Sequence, residues 1–198
     1  MATDTKPGSI TIEQFLEMEQ HAPEGVRWEL IDGEIKEYPS VTTRNRMHSV
    51  AISQISYVLL KWLNDHEELP GVIAAGEARC KLWPDRRTMV GIDVGWFTDA
   101  PRDDDADESK SSYFDGPPVL AVEVLSGSEK HEDVVERIES FLHAGCRQVW
   151  VADPIMRTVT VYRASAPPII RSGEQELDGT PELPEFRCRV DSLFMRTR

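Results

Sequence analysis

The sequence predicts an α/β (α+β) fold in which helices and strands share one mixed sheet, and three observations carry that prediction. Asp32-Gly33 joins two extended runs and reads as a hairpin turn. From about residue 43 to 65, apolar residues recur at three- and four-residue steps, the spacing of one helical face. Val119 to Leu125 is too short for a helix and apolar enough for a strand buried on both faces, and a helical segment follows it. The order is neither a strict strand-helix alternation nor two separated layers.

Thr11 with Gln14 forms a capping box that opens a short N-terminal helix to about Gln20, with Ile12, Phe15 and Leu16 facing a core. Pro23 and Gly25 end it. The hairpin Val26–Ile31 and Glu34–Tyr38 comes next, closed by Pro39. In the long helix, Met47, Val50, Ala51, Ile55, Val58, Leu59, Trp62 and Leu63 make the buried stripe. Val72–Ala75, Ala78–Trp83 and Thr88–Phe97 read as strands separated by turns at Gly76 and at Pro84-Asp85. Residues 98–117 are rich in charge and poor in apolar side chains, the composition of an exposed acidic loop. After the strand at Val119–Leu125, a helix from about Lys130 to Ala144 carries Val134, Ile138, Phe141 and Leu142, with Gly145 placed as its left-handed cap. Gln148–Ala152, Thr158–Arg163 and Phe186–Val190 are the remaining strands, before a short helical end.

With 40% hydrophobic and 29% charged residues over 198 positions, the chain is expected to be one globular domain, residues 1–198, with a frayed tail at residues 1–9. Twenty-two Lys and Arg against 35 Asp and Glu leave a net charge of −13, which opposes non-specific binding of polyanions. Three widely spaced cysteines fit no disulfide framework, and no signal-like or membrane-spanning stretch is present, so the expected location is cytoplasmic with no membrane partner.

Glu123 stands out because an acid inside Leu120–Leu125 is costly to bury without a partner. It either ends the strand, pairs with an Arg such as Arg137, or binds a cation. Asp93 repeats the pattern inside Val90–Phe97, and two acids on neighbouring strands suit a hard divalent ion bound through oxygen. Arg137 has an alternative in an i, i+4 pair with Asp133. His48 sits at the edge of the long helix's apolar face, where a lone histidine is ordinarily a satisfied core or surface group. Strand alternation places Glu29 on a polar face. Arg44, Arg46, Arg79, Lys81, Arg86 and Arg87 are the basic positions able to meet phosphate, with solvated charge as their default. Asp103–Glu108 lacks the Gly and terminal Glu of a calcium loop, and Ser126 and Ser128 lack a nucleophile elbow.

Trp28-Glu29-Leu30-Ile31-Asp32-Gly33-Glu34, Ile92-Asp93-Val94, Val122-Glu123-Val124-Leu125-Ser126, the helix around Asp133, Arg137 and Phe141, Ala144-Gly145 and Val149–Pro154 occur in an order that resembles the Uma-two family of endonucleases, within the PD-(D/E)XK restriction-endonuclease-like fold. The likeness runs from about Thr11 to Phe194. It implies a restriction-endonuclease-like core, a central mixed sheet flanked by helices. It also implies that Asp93 and Glu123 hold Mg²⁺ or Mn²⁺, with the Val124 carbonyl as a further ligand. Glu29 and Glu34 would be accessory acids, and His48 would face the cleft. The family's Lys two residues after the second acid is Leu125 here, and the helix position that carries it in closer members is Arg137, with Lys130 a possible substitute. Arg cannot serve as a base, but its guanidinium orients water or phosphate. The implied activity is metal-dependent phosphodiester hydrolysis, with DNA as a weakly or salt-dependently bound partner and a homodimer as the assembly. The alternative is a catalytically impaired member acting as an interaction or DNA-handling module.

Overall fold

The computed structural model describes residues 9–39, 45–82, 87–98, 113–126 and 130–194. Arg44, Arg86, Ser128, Asp103–Glu108 and nearly all of the expected N-terminal tail lie outside them, as does the acidic segment except residues 98 and 113–117.

Helix α1 (Ile12–Glu19) begins at the expected capping box: the Gln14 N–H donates to Thr11 Oγ1 and the Thr11 N–H to Gln14 Oε1. Strands β1 (Val26–Ile31) and β2 (Glu34–Pro39) form the hairpin. Asp32 (φ 51°) and Gly33 (φ 77°) both take the left-handed conformation that a two-residue turn of this kind requires. Helix α2 (Arg46–Asn64) is capped by the Asn45 side chain, which accepts from the Met47 N–H. The segments expected as two strands around Gly76 are a single strand, β3 (Val72–Leu82), whose register with β4 (Thr88–Phe97) shifts between Ala75 and Ala78. Gly76 and Glu77 have positive φ, so the turn signal marks a β-bulge within a continuous strand.

Within the charged segment, Phe114–Asp115 form a short strand, β5, parallel to β3. Strand β6 (Leu120–Val124), helix α3 (His131–Ala144) and strand β7 (Gln148–Asp153) make a parallel strand-helix-strand unit, and Gly145 closes α3 at φ 104°. Strands β8 (Thr158–Arg163) and β9 (Ala166–Ser172) complete the sheet; β10 (Glu176–Asp178) pairs with β11 (Arg187–Arg189) in a separate ribbon, and a 3-10 turn spans Val190–Leu193. The nine-stranded mixed sheet runs β2-β1-β4-β6-β7-β8-β9, with β3 on the other edge of β4 and β5 paired to β3. Strand β9 is an addition to the expected strands, and its Pro167 and Pro168 are tolerated because it lies at a sheet edge.

One core lies between the sheet and α2, where Ala51, Ile55, Leu59 and Trp62 pack on Trp96, Trp150 and the segment from Leu177 to Phe194. Its three buried indoles are satisfied: Trp62 donates to the Pro184 carbonyl at 2.7 Å, Trp96 to Pro70 at 3.2 Å and Trp150 to Gln148 Oε1 at 2.8 Å. A second core lies under α3, built from Ile138, Phe141, Ile31, Ile92 and Val149. Among the described residues, no helix is long and apolar enough to cross a membrane.

Candidate metal and active site

Strand β3 occupies one edge of β4, so β1 and β6 share the other. Strand β6 pairs with Val94–Trp96, while β1 pairs at Met89, and between them the two strands part. The interval from Val90 to Asp93 is bonded by side chains instead. Continued by one residue, the β4–β6 register sets Asp93 across from Glu123, but the Asp93 carboxylate takes over the ladder's role, with Oδ2 accepting from the Val124 N–H at 2.8 Å. Gly91 is treated similarly: its N–H donates to Glu29 Oε1 at 3.3 Å and its carbonyl accepts from Arg137 Nη2 at 2.6 Å. Ile92 packs under α3 and Val94 under α2, although alternation would put both on one face. The strand therefore changes face at Asp93.

Arg137, from α3, links the group. Its Nη2 donates to Glu123 Oε1 at 2.8 Å, and its Nη1 reaches both oxygens of Glu29, at 3.1 and 3.4 Å. Glu29 is 2% exposed and Glu123 and Arg137 are 12% exposed, so these are largely desolvated charges. Burial disfavours the Arg137 cation, but Glu123 and Glu29 outweigh it and hold the guanidinium charged. Three carboxylates, Glu29, Asp93 and Glu123, gather around this one guanidinium, with the half-buried Arg27 at 3.5 Å from Glu29. The shortage of positive charge shows in Glu123: burial pushes its carboxyl up to about 8, with Arg137 opposing and Asp93 and Glu29 adding to the rise. Asp93 behaves oppositely. Burial alone would raise it, but His48, the Val124 amide and Arg137 together hold it below the ordinary aspartate value.

Four of the expected residues thus meet Asp93 or Arg137 directly: Glu29, Glu123, His48 and Val124, the last through its amide. Glu29 departs from the alternation reading, since α3 covers the face that was expected to be polar and supplies Arg137 to neutralise it. Arg137 likewise turns inward to β1 and β6, with Asp133 not among its ion-pair partners. Glu34 is exposed at the start of β2, and Lys130 is exposed at the N-cap of α3; neither makes a hydrogen bond or ion pair with Asp93 or Glu123. Sequence reasoning missed three contributors. Gly91 supplies both backbone groups, and a Cβ there would meet the carboxylate end of Glu77 at 2.8 Å, so the only sequence signal is a glycine inside an apolar strand. Arg27 contacts Glu77 and Glu29. Tyr38 has a buried, unpaired hydroxyl whose pKa burial pushes up to about 12, with Glu29 adding to the shift.

Among the described residues, no group of three His, Cys, Asp or Glu side chains is arranged as a ready metal cage. Two carboxylates nevertheless suit a hard cation that retains waters. Asp93 Oδ1 and Glu123 Oε2 accept no hydrogen bond among the described residues, which leaves one oxygen of each carboxylate without a protein donor. The basic positions offer less. Arg79 is clamped by Glu19 at 2.7 and 2.8 Å, Lys81 stands 4.0 Å from Asp115, Arg87 donates to Ser9 at 3.1 Å, and Arg46 is exposed.

A family model described as "Uma2: Putative restriction endonuclease" matches residues 12–191. Among solved structures, the chain is similar to the crystal structure of a "putative nuclease belonging to DUF820" from Anabaena variabilis ATCC 29413, at TM-score 0.72 and 22% identity, covering 93% of this chain and 97% of that one. That likeness establishes a shared fold. No curated protein matches. The chain belongs to the Uma2 family of restriction-endonuclease-like proteins.

Proposed function

We propose that the protein is a divalent-metal-dependent nuclease that hydrolyses phosphodiester bonds, with DNA as substrate. The observation that carries this reading is the excess of carboxylate over buried cation where β1 and β6 part on β4, with one oxygen each of Asp93 and Glu123 accepting no hydrogen bond among the described residues. A dication there would balance charge that Arg137 leaves uncompensated. Asp93 and Glu123 would hold it, with the Val124 carbonyl as a further oxygen donor. When bound, Mg²⁺ or Mn²⁺ supplies Lewis acidity toward the phosphate and lowers the pKa of water. Glu29 fixes Arg137, and Arg137 fixes Glu123 while placing a permanent positive charge beside the phosphate position. With a net charge of −13 and several cations already paired to acids, DNA affinity is expected to be weak and steeply salt-dependent.

A specific observation favours a second reading, a non-catalytic DNA-handling module. Both terminal nitrogens of Arg137 are engaged by protein acceptors, and among the described residues no Lys makes a hydrogen bond or ion pair with Asp93, Glu123 or Glu29. The experiment that separates them is cleavage of single-stranded, double-stranded and flapped DNA with Mn²⁺ or Mg²⁺, using wild type, Asp93→Ala and Arg137→Lys. Metal-dependent cleavage that Asp93→Ala abolishes supports the nuclease. Absence of cleavage by both wild type and Arg137→Lys, with Mn²⁺ bound, supports the module.

A further inference from the structure

Helix α2 buries His48 completely, at 0% exposure, on the face that otherwise carries Ala51, Ile55 and Leu59. Among the described residues, neither ring nitrogen has a hydrogen-bond partner. An apolar side chain would fill the same face without leaving buried polar atoms unsatisfied, so packing alone does not account for an imidazole here. What the imidazole has is a neighbour: Nε2 stands 3.4 Å from Asp93 Oδ2, the oxygen that already accepts from the Val124 amide.

We infer that His48 is a positioning residue that braces Asp93 from α2, so that Oδ2 is held on the protein side and Oδ1 is presented to a divalent cation. The inference rests on the metal-site reading above and deepens it. Two groups from different elements flank one carboxylate oxygen, the Val124 amide of β6, which donates to it, and the imidazole of α2, whose Nε2 lies 3.4 Å away, and together they restrict the carboxylate plane as well as its position. Outer partners of this kind orient a ligand without touching the ion, and losing one typically weakens metal binding about 10- to 100-fold. Reach also favours a histidine over a shorter polar residue, since it is the far ring nitrogen, Nε2, that stands beside Asp93 Oδ2.

Two measurements test this. The first needs no metal: urea unfolding of wild type, His48→Leu, Asp93→Asn and the double variant. Bracing predicts that His48→Leu lowers the folding equilibrium constant by about tenfold more beside Asp93 than in the Asp93→Asn background, because groups in contact couple. Additive effects would overturn it. The second is Mn²⁺ affinity by calorimetry, with circular dichroism confirming the fold. His48→Leu should weaken binding about 10- to 100-fold, and His48→Gln, whose amide N–H reaches the Nε2 position, should recover most of the loss. Equal losses in both variants, or no loss in either, would contradict the assignment. Should His48→Leu fail to fold, His48→Asn replaces it, since its amide stops short of Asp93 and must show the same weakening. Should wild type itself take up no Mn²⁺, the metal reading fails, and the unfolding cycle alone decides the brace: coupling supports it and additivity overturns it.

Discussion

On one side of Asp93, β4 is held by a backbone ladder to β6 through Val94–Trp96; on the other, from Gly91 to Asp93, the same edge is held by side chains of Glu29, Arg137 and Asp93. The ladder half uses bonds that any sequence can make, and its residues are chosen for packing: Val94, Trp96, Val122 and Leu120 are apolar and buried. The side-chain half replaces uniform peptide groups with charges that must balance one another. Such an arrangement adds little net stability, because desolvation of the ions offsets much of their attraction, but it concentrates chemistry where two strands separate. A strand break inside a sheet is thus both a weak point and a place where carboxylates converge.

The largest effect that sharpens this contrast should come from Arg137→Ala. It leaves Glu29 and Glu123 buried without their cation, and the expected loss is about 3–5 kcal/mol in urea unfolding. A loss below about 1 kcal/mol would show that the cluster is better solvated than its burial indicates. On the ladder half, Val122→Ala removes fully buried methyl groups and should cost about 2 kcal/mol through the cavity alone, leaving Mn²⁺ affinity unchanged. If it weakened metal binding as much as a change at the cluster, the two halves would not be independent. Asp93→Asn should do the reverse: the amide oxygen still accepts from Val124, so stability should change by only about 1 kcal/mol, while Mn²⁺ binding is lost.

The smallest effect concerns the cysteines. Cys80 lies on β3 opposite Val90, one residue from the stretch of β4 whose far edge is held by side chains, whereas the Cys146 thiol donates to the Gln148 carbonyl at 3.0 Å beside the parallel β6–β7 pair. Burial raises both thiol pKa values, that of Cys146 to about 12, so at pH 8 both stay protonated and react only when the structure opens. Alkylation in native buffer should therefore be slow at both, with Cys80 the faster. Faster labelling of Cys146 would place the looser region elsewhere.

Much of the scaffold was legible because it depends on local signals. The Thr11 capping box, the Asp32-Gly33 turn, the extent of β4 and the Gly145 cap all follow from side chains acting on their own backbone. Asp93 and Glu123 were legible as acids in apolar runs, a local anomaly of the same sort. What the sequence hid depends on long-range packing. Glu29 sits in an alternating strand that reads as half-solvated, and only the docking of α3 shows that its polar face is covered. The partner of Arg137 could not be chosen between Asp133, one turn away, and acids 108 and 14 residues away, because spacing along a helix says nothing of what lies opposite. Gly76 carried a true signal for backbone distortion, but whether a glycine ends a strand or bulges it depends on the neighbour β4.

In the proposed function, the gap between β1 and β6 on β4 binds a divalent cation through Asp93 and Glu123. Calorimetric titration of Mn²⁺ into wild type and Asp93→Ala tests it most directly, without requiring a substrate. A metal held by this pair gives one saturable site in wild type, lost in the variant while its circular dichroism is unchanged. Absence of binding to wild type at millimolar Mn²⁺, or equal binding by both proteins, would contradict it.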